Sequence, residues 1–436
     1  MNKFMSFMEN KFIPVATRIS NNKVIQAVSR GSMSLMPIII VGAIFSLLGS
    51  MNIASYQEFI KTIKLDVFLG FVPAVTINAI GLYMAFFVAY HAADVFDKKE
   101  MRTNVGILSV VSYLILTPLQ SVMANGAFQP TINLDMKYLG SSGAFTAILT
   151  GLVVAKIYQV IIDKNLTIKM PASVPLQVSK SFTDIIPAFF IFVLFSLIRF
   201  VFSFTENGSV TDYIYHILQV PLQNLTGSLA TFIIILLVAQ LLWFFGIHGS
   251  YTVLPILMPI WIGYIESNIA ANAAGQPIPH IWNFGMYDLL CIGGAGSTLG
   301  LVLVMTLTAK SDRFKKFSKL VTLPGIFNIN EPLIFGMPII LNPIMLVPFI
   351  FTPLLILLIG YSLMVMGIVN TPIGLFLPGS TPVGFSGFLQ GGWTLAAYQV
   401  FSVILSAFIY FPFFRVMDNT ALREEKENSD EKVSGL

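Results

Sequence analysis

A single formal charge interrupts a long apolar stretch near the C-terminal end of the chain. Between Lys319 and Arg415 the only formally charged residue is Glu331. An ionised carboxylate at membrane depth costs about 2.5 to 3.5 kcal/mol on insertion scales, so it is retained where it faces a cavity, a partner or a substrate. We therefore expect Glu331 to be part of the functional site.

The composition places the chain among polytopic membrane proteins. Hydrophobic residues make up 56% of the sequence and charged residues 11%, whereas about a quarter of the residues in a soluble domain are charged. A spanning helix needs about 20 residues, so 436 residues leave room for about ten spans. The predicted fold class is an all-α polytopic membrane protein, with about ten transmembrane helices plus two re-entrant hairpins in two halves.

Apolar runs and basic loops together predict the topology. The runs lie near residues 33–51, 67–90, 103–124, 143–162, 182–204, 225–246, 251–265, 289–307, 344–366 and 395–414. No Lys or Arg occurs from Phe200 to Ala309, and a basic cluster then follows from Lys310 to Lys319. Because basic loops mark the inner side of a membrane, the N- and C-termini are both expected in the cytoplasm.

The same reading divides the chain into five segments. The N-terminal segment has apolar residues near helical spacing with lysines beside them, which is typical of a helix lying in the membrane interface. The segments are 1–30, interfacial or cytoplasmic; 31–205, five spans; 206–224, a linker; 225–417, five spans and two hairpins; and 418–436, a charged cytoplasmic tail.

Two apolar segments contain too many helix breakers to be ordinary spans. Residues 321–342 contain Pro324 and Pro332, and residues 369–392 contain several prolines and glycines. Non-helical backbone at membrane depth survives only where protein or a water-filled cavity satisfies its polar groups, and paired interrupted segments indicate a transport site. We predict two re-entrant hairpins; the alternative is a pair of kinked, otherwise ordinary helices.

Aromatic residues distinguish the second half of the chain from the first. All the tryptophans lie there: Trp243, Trp261, Trp282 and Trp393. Aromatic planes pack on the C–H faces of sugar rings, although tryptophan is also typical of the interfacial belt, to which Trp261 is assigned. His248 lies between glycines at the edge of an apolar run; it is either a site residue or a neutral histidine bonded to a neighbouring helix.

Five stretches then resemble a known family: Phe245 to Gly249, Trp282 to Gly285, Gly293 to Ser297, Phe327 to Gly336 and Pro338 to Pro343. Over essentially its whole length the chain resembles enzyme IIC, the membrane component of the lactose/cellobiose/diacetylchitobiose phosphotransferase systems. The resemblance implies a bacterial cell-membrane permease for a disaccharide, with a homodimer scaffold in the first half and the sugar in the second.

The resemblance also implies how the sugar is modified. The 6-hydroxyl of the imported sugar is phosphorylated by a phosphocysteine of a separate cytoplasmic partner, the phosphorylated IIB protein. This chain would thus be the membrane subunit of a sugar phosphotransferase, with the donor residue on the partner. Cys291 is expected inside the membrane. No cofactor, metal or nucleic acid is expected.

The chemistry of the side chains at the matched positions suggests a role for each of them in sugar binding or phosphoryl transfer. A carboxylate near the 6-hydroxyl can orient it and accept its proton, and we assign this role to Glu331. His248 is the hydroxyl-positioning partner and an acid/base candidate, with Gly249 permitting close approach of the sugar. Asn328 and Asn330 either bind sugar hydroxyls or hold the hairpin. Trp243 and Trp393 are candidate stacking platforms, and Trp282 with Asn283 extends the pocket for a second ring.

The identity of the sugar and the energy source remain open at this point. Gly392 and Thr394 flank Trp393, and an uncharged subsite there slightly favours diacetylchitobiose over cellobiose. The rival function is an ion-coupled sugar symporter in which Glu331 carries a proton. The third alternative, a passive channel or a purely structural membrane protein, predicts no saturable sugar binding and leaves Glu331 unexplained.

Overall fold

The computed structural model confirms the all-helical membrane fold class. It describes residues 14, 18, 21–50, 54–124, 127–168, 170–171, 174, 179, 182–337, 339–340 and 342–434. The predicted interfacial helix in residues 1–30 falls mostly outside these residues; within that segment, a helix begins at Lys23. One two-stranded antiparallel hairpin, formed by β1 (Leu119–Ala124) and β2 (Ala127–Leu134), accompanies the helices.

The helices are numbered in chain order. They are α1 (Lys23–Ser34), α2 (Met36–Ser50), α3 (Ala54–Thr62), α4 (Leu65–Val75), α5 (Ile80–Val95), α6 (Arg102–Leu116), α7 (Met136–Leu139), α8 (Ala144–Asp163), α9 (Ile185–Phe202), α10 (Val210–Ile214), α11 (Val220–Thr226), α12 (Leu229–Phe244), α13 (Gly249–Ala273), α14 (Phe284–Leu289), α15 (Leu299–Thr308), α16 (Asp312–Ile326), α17 (Glu331–Gly336), α18 (Pro343–Val365) and α19 (Phe385–Ser434).

Within the described residues, six helical stretches are long and apolar enough to cross a membrane by themselves. They are Lys23–Ser46, Leu65–Val95, Ser141–Asp163, Ile185–Phe202, Pro343–Val365 and Phe385–Glu427. Several of the expected spans are shorter or are broken. The clearest cases are the runs at 103–124 and 289–307, because α6 ends at Leu116 and α15 begins only at Leu299.

The early end of α6 has a visible cause. Pro118 follows the helix, and proline has no N–H to continue the hydrogen-bonding ladder. The guanidinium of Arg199 in α9 donates to the carbonyls of Ile115 and Thr117, both at 2.6 Å. A cation at the C-terminus of a helix satisfies its free carbonyls and complements its dipole. Arg199 lies in an apolar helix, and these two hydrogen bonds give its guanidinium polar partners there.

The chain forms two compact units. Unit 1 comprises Met1–Thr226 and Leu254–Gly275, and unit 2 comprises Gly227–Val253 and Gln276–Leu436. In the core of unit 1, α5 and α8 come close together because their contact residues are small. Ala89, Ala92 and Ala155 are almost completely buried, and small residues at such contacts let membrane helices pack through van der Waals contact.

Polar contacts gather at two ends of unit 1. At one end, Lys98 Nζ lies 2.6 Å from Asp163 and Arg30 lies 3.3 Å from Asp94. The topology predicted from the sequence assigns all four residues to the cytoplasmic side. The ion pairs are therefore consistent with the predicted succession of spans.

The other end of unit 1 joins segments that alternation assigns outside. The side chain of Ser141 donates a hydrogen bond to Glu266, and the Tyr138 hydroxyl donates to Asp212 at 3.0 Å. Glu266 therefore has a local partner at the end of α13 and does not face lipid alone. Trp261, assigned to the interfacial belt from the sequence, is instead fully buried in this unit.

In unit 2, the charged tail continues α19 as a helix as far as Ser434. The fully buried carboxylate of Asp418 accepts hydrogen bonds from the backbone N–H groups of Lys310 and Ser311, at 2.8 and 3.0 Å. Glu425 accepts from the backbone of Asp312 and Arg313. Carboxylates at a helix N-terminus satisfy its free N–H groups, so α19 caps α16.

Candidate functional site

Three of the helix breaks in unit 2 are connected to one another. The first lies between α14 and α15, the second at residues 327–330 between α16 and α17, and the third at residues 366–384 between α18 and α19. α15 has 10 residues, a length of about 15 Å, which is half of a hydrocarbon core of about 30 Å. A helix of this length that begins at a membrane surface ends near the middle of the bilayer.

Asn328 joins all three breaks through its side-chain amide. Its Oδ1 accepts a hydrogen bond from the backbone N–H of Gly293 at 2.7 Å, and its Nδ2 donates to the carbonyl of Thr381 at 2.9 Å. Asn328 itself has a φ of 59°, the left-handed conformation in which asparagine commonly follows a helix end. The side chain and the backbone of this residue thus both stabilise the break after α16.

Asn330 holds the first break from the same loop. It is 3% exposed, and its Nδ2 donates to the carbonyl of Ala295 at 2.7 Å and to Thr298 Oγ1 at 3.0 Å. A Cβ on Gly294 would lie 2.3 Å from the Asn330 side chain, so only glycine permits this approach. Both asparagines are therefore bonded to protein backbone, which is the hairpin-holding alternative of the sequence analysis.

α19 provides further polar contacts of the first break. The Ser406 hydroxyl donates to the carbonyl of Ser297 at 2.6 Å, and the Tyr410 hydroxyl donates to the carbonyl of Gly296 at 2.8 Å. The turn contains Gly293, Gly294 and Gly296, all with positive φ. Its carbonyls lack helical partners, so these side-chain donors are what permit such a turn at membrane depth.

Two buried glutamines satisfy the third break, one on each side of a kink that α19 makes at Gly391 and Gly392. Gln390 accepts from the N–H groups of Gly374 and Leu375, at 3.0 and 2.9 Å, and donates to the Leu375 carbonyl. Gln399 accepts from the N–H groups of Gly384 and Gly387, at 2.8 and 2.7 Å. These glutamines supply the partners that irregular backbone needs inside a membrane.

Glu331 is the first residue of α17 and is half-buried. A carboxylate at a helix N-terminus is stabilised by the free N–H groups and the positive end of the helix dipole. Among the described residues, no hydrogen bond or ion pair satisfies its carboxylate. The carboxylate does lie close enough to the imidazole of His248 to act on it electrostatically. The structure thus brings together the two residues to which the sequence analysis gave catalytic roles.

His248 lies in the short connection between α12 and α13. Its carbonyl accepts hydrogen bonds from the N–H and the hydroxyl of Thr252, at 3.2 and 3.1 Å, which starts α13. A Cβ on Gly249 would lie 1.9 Å from the carbonyl oxygen of Ala239. Glycine is therefore required at 249 by close packing against α12, and this contact fixes the backbone next to His248.

Trp243 supports His248 from one side. The two ring centroids are 4.1 Å apart, and the indole is 5% exposed within the core of unit 2. Its Nε1–H is buried without an acceptor in the described part of the chain. A buried unpaired donor costs about 1 to 3 kcal/mol. In this conformation Trp243 fixes the imidazole, and its packed ring does not present an open face.

The other candidate residues lie elsewhere in unit 2. Trp282 packs between Phe232 and Tyr361, with centroid distances of 5.3 and 4.9 Å. Asn283 is fully buried and donates to the carbonyls of His280 and Pro372, at 2.7 and 2.8 Å.

Trp393, the second candidate stacking platform, is 79% exposed and packs against Phe388. Its exposed ring lies outside the buried hydrophobic cluster that contains Trp243.

Several residues of this region were not singled out from the sequence. Gln390 and Gln399 are buried amides in an apolar helix, a pattern that could have indicated irregular backbone nearby. Asp288 is an acidic residue in a stretch without Lys or Arg, but that stretch also contains Glu206, Asp212 and Glu266, so its charge is less isolated than that of Glu331. In the described residues, no group of three His, Cys, Asp or Glu side chains could hold a metal ion.

Comparison with known proteins identifies the family. The model of the family "Phosphotransferase system, EIIC" matches residues 29–353. The lichenan permease IIC component of Bacillus subtilis (strain 168) is 37% identical, over 98% of this chain and 96% of its own length. The cellobiose-specific EIIC component of Geobacillus stearothermophilus is 33% identical, over 98% of this chain and 97% of its own length.

A solved structure agrees with these matches. The crystal structure of the transporter ChbC, the IIC component of the N,N'-diacetylchitobiose-specific phosphotransferase system, is similar with a TM-score of 0.90 at 33% identity. The similarity covers 96% of this chain and 99% of the ChbC chain. The chain therefore belongs to the EIIC family, the membrane-embedded sugar permeases of the phosphotransferase system.

Proposed function

We propose that this permease carries a β-linked disaccharide across the bacterial cell membrane and presents its 6-hydroxyl to a separate phosphorylated IIB protein. The observation that carries the proposal is that Glu331 begins a helix directly after one of three connected helix breaks and lies within electrostatic range of His248. Its carboxylate has no hydrogen-bond or ion-pair partner among the described residues, so it is available to a hydroxyl. Breaks of this kind are where membrane transporters place their substrate sites.

In the proposed reaction, Glu331 orients the 6-hydroxyl and accepts its proton as the oxygen attacks the phosphoryl group. Phosphoryl transfer depends mainly on positioning and on stabilising the developing charge. His248, held between Trp243 and the start of α13, places the hydroxyl and is the second acid/base group. The phosphoryl group leaves the cysteine of the IIB protein, and the charged phosphosugar is released to the cytoplasm.

The proposed movement is alternating access, in which the segments bearing Glu331 carry the sugar from the outer to the inner side. The first half of the chain is the proposed homodimer scaffold, and both termini lie in the cytoplasm. Exposed aromatic residues of α9, such as Phe189 and Phe200, are 63% and 62% exposed in the single chain. Such residues need lipid or a second protomer to cover them.

Two disaccharides are the leading candidates. The relative named for cellobiose supports the unsubstituted sugar, and the structural similarity to ChbC supports diacetylchitobiose. A calorimetric binding panel on the purified protein, using β-linked disaccharides with and without acetamido groups, would separate them. We expect saturable binding of at least one β-linked disaccharide, with weaker binding of its α-linked isomer.

Measuring what energises sugar uptake tests the proposed function directly. Vesicles containing the protein should accumulate labelled sugar when phosphorylated IIB is supplied on the side of the charged tail, and the product should be the 6-phosphate. Uptake that follows a proton or sodium gradient without IIB would instead establish the symporter function and refute the proposal.

A further inference from the structure

The outward face of α16 changes character halfway along the helix. Arg313, Lys316, Leu320 and Leu323 follow one another at helical spacing, so they form one stripe along α16. Arg313 and Lys316 are exposed, and Leu320 and Leu323 are 70% and 66% exposed. The stripe is therefore basic over its first half and apolar over its second half.

Packing of α16 within unit 2 fixes this orientation. On the opposite side of the helix Phe314 is buried, and its ring centroid lies 5.5 Å from that of Phe414 in α19. The backbone N–H groups at the start of α16 are already bonded to Asp418 and Glu425. The stripe thus faces outward from the chain, and its attraction for anions comes from its side chains and not from the helix terminus.

The protein neutralises the charge of the basic half only in part. Residues 310–319 contain five basic residues and a single acidic one, Asp312. Arg313 lies 3.9 Å from Glu424, but both side chains are more than half exposed, and such surface pairs contribute little. Among the described residues, Lys316 and Lys319 have no ion-pair partner. The surface therefore has positive charge left for an anionic ligand.

The length of the stripe matches the layers of a membrane surface. The basic cluster marks the cytoplasmic side of the membrane. The first two turns of α16 extend for about 11 Å, and the headgroup layer on each side of the hydrocarbon core is about 5 to 8 Å thick. With Arg313 and Lys316 at the level of the headgroups, Leu320 and Leu323 lie against the acyl chains.

We infer that the stripe of α16 is a binding site for an anionic phospholipid of the inner leaflet. Arg313 and Lys316 pair with the phosphate group, and Leu320 and Leu323 contact an acyl chain. Clusters of basic side chains at the inner membrane surface attract anionic lipids. The apolar continuation of the stripe favours a lipid over a soluble anionic protein, which would contact the basic half alone.

A lipid bound here acts on the segment that leads to the candidate site. α16 ends at Ile326, and the loop after it contains Asn328, which is bonded to Gly293, and leads to Glu331. A phospholipid held by the first half of α16 therefore fixes the level of this loop relative to the inner membrane surface. The inference concerns the lipid alone and does not depend on which sugar is carried.

Native mass spectrometry of the full chain, titrated with phosphatidylglycerol or phosphatidylcholine, tests the site. Wild type should bind phosphatidylglycerol more tightly than phosphatidylcholine. Arg313→Gln combined with Lys316→Gln should weaken phosphatidylglycerol binding by about 10- to 30-fold and leave phosphatidylcholine binding unchanged. The matched control, Lys99→Gln combined with Lys164→Gln, removes two exposed basic residues of unit 1 and should bind both lipids as wild type does.

A variant of the apolar half separates a lipid from a soluble partner. Leu320→Asn combined with Leu323→Asn keeps every charge and should still weaken phosphatidylglycerol binding. If the Arg313 and Lys316 substitutions instead raise the concentration of IIB needed for half-maximal phosphorylation and leave lipid binding unchanged, the stripe is a docking surface for that protein and the inference is overturned.

Hydrogen exchange on wild-type protein covers the case in which the variants do not fold. In lipid nanodiscs, replacing part of the phosphatidylcholine with phosphatidylglycerol should slow exchange several-fold in peptides covering residues 312–323, with no change in peptides of α9. Exchange that does not respond to phosphatidylglycerol, or equal binding of the two lipids by wild type, would contradict an anionic lipid site on α16.

Discussion

Asn328 accepts a hydrogen bond from the backbone N–H of Gly293 at 2.7 Å, across a sequence separation that spans two helices. The same side chain donates to the carbonyl of Thr381. Each broken helix leaves polar backbone that its own segment cannot pair, and one amide supplies the acceptor for one break and the donor for another. The three breaks of unit 2 are thus mutually dependent.

Substitution of Asn328 should separate the stabilisation by its side-chain hydrogen bonds from the stabilisation by its left-handed backbone conformation. Asn328→Gly removes both side-chain hydrogen bonds but tolerates the φ of 59°, and should lower the free energy of unfolding by about 2 kcal/mol. Asn328→Ala adds the cost of a left-handed conformation and should lower it by about 3 kcal/mol. Thermal unfolding of the purified protein in detergent measures the difference. Equal stability of the two variants would contradict a conformational contribution.

Glu331→Gln should leave folding and much of the sugar affinity intact, because glutamine keeps the size of the side chain and one acceptor. It should reduce IIB-dependent phosphorylation by about 10²- to 10⁴-fold, since the proton acceptor is lost. The measurement combines calorimetric binding with single-turnover transfer from labelled IIB. Phosphorylation at the wild-type rate would show that another group accepts the proton.

Gln390→Leu should destabilise unit 2 strongly. Leucine is similar in size to glutamine but cannot accept hydrogen bonds from the N–H groups of Gly374 and Leu375. Each unpaired group should lower the free energy of unfolding by about 1 to 3 kcal/mol. Hydrogen exchange at these two amides should accelerate. Ser362→Ala, which loses only a bond to its own helix, is the control and should change little. Unchanged exchange at both amides in Gln390→Leu would argue against this pairing.

Arg199→Met should destabilise unit 1 by about 2 kcal/mol, because two carbonyls at the end of α6 lose their charged donor. Arg199→Lys retains a positive charge and should recover part of the loss. Unfolding midpoints in detergent provide the test. A methionine variant as stable as wild type would mean that solvent or lipid headgroups satisfy those carbonyls equally well.

The sequence was sufficient for the features that depend on helix breakers and isolated charge. Pro324 with Pro332 and the glycines after residue 369 predicted broken segments, and the structure has breaks there. Family membership followed from motifs that span those breaks, and the comparisons confirm it. These features are local, so they can be recognised without knowing which segments are neighbours.

Features that depend on distant partners were not predictable in the same way. Residues 289–298 are apolar and were assigned to a span, but the positive φ values of Gly293, Gly294 and Gly296 require a turn. That turn is stable because Asn330, Ser406 and Tyr410 reach it from other segments. Similarly, hydropathy alone does not tell that α6 ends at Leu116, because the donor that caps it belongs to α9.

Burial was the other quantity that the sequence left undetermined. Trp261, Trp282 and Trp393 share a residue type, yet they are 0%, 8% and 79% exposed. An indole is compatible with a protein core, an interface or a sugar site, and only the surrounding helices decide between them.

The long helix α19 has a mechanical consequence. From Trp393 to Ser434 it runs for roughly 60 Å at 1.5 Å per residue. At one level it grips the glycine turn through Ser406 and Tyr410, and farther along it caps α16 through Asp418. Inside unit 2 it therefore couples distant parts: a displacement of α19 near Asp418 is transmitted along the helix to the glycine turn, which is bonded to the loop that carries Glu331.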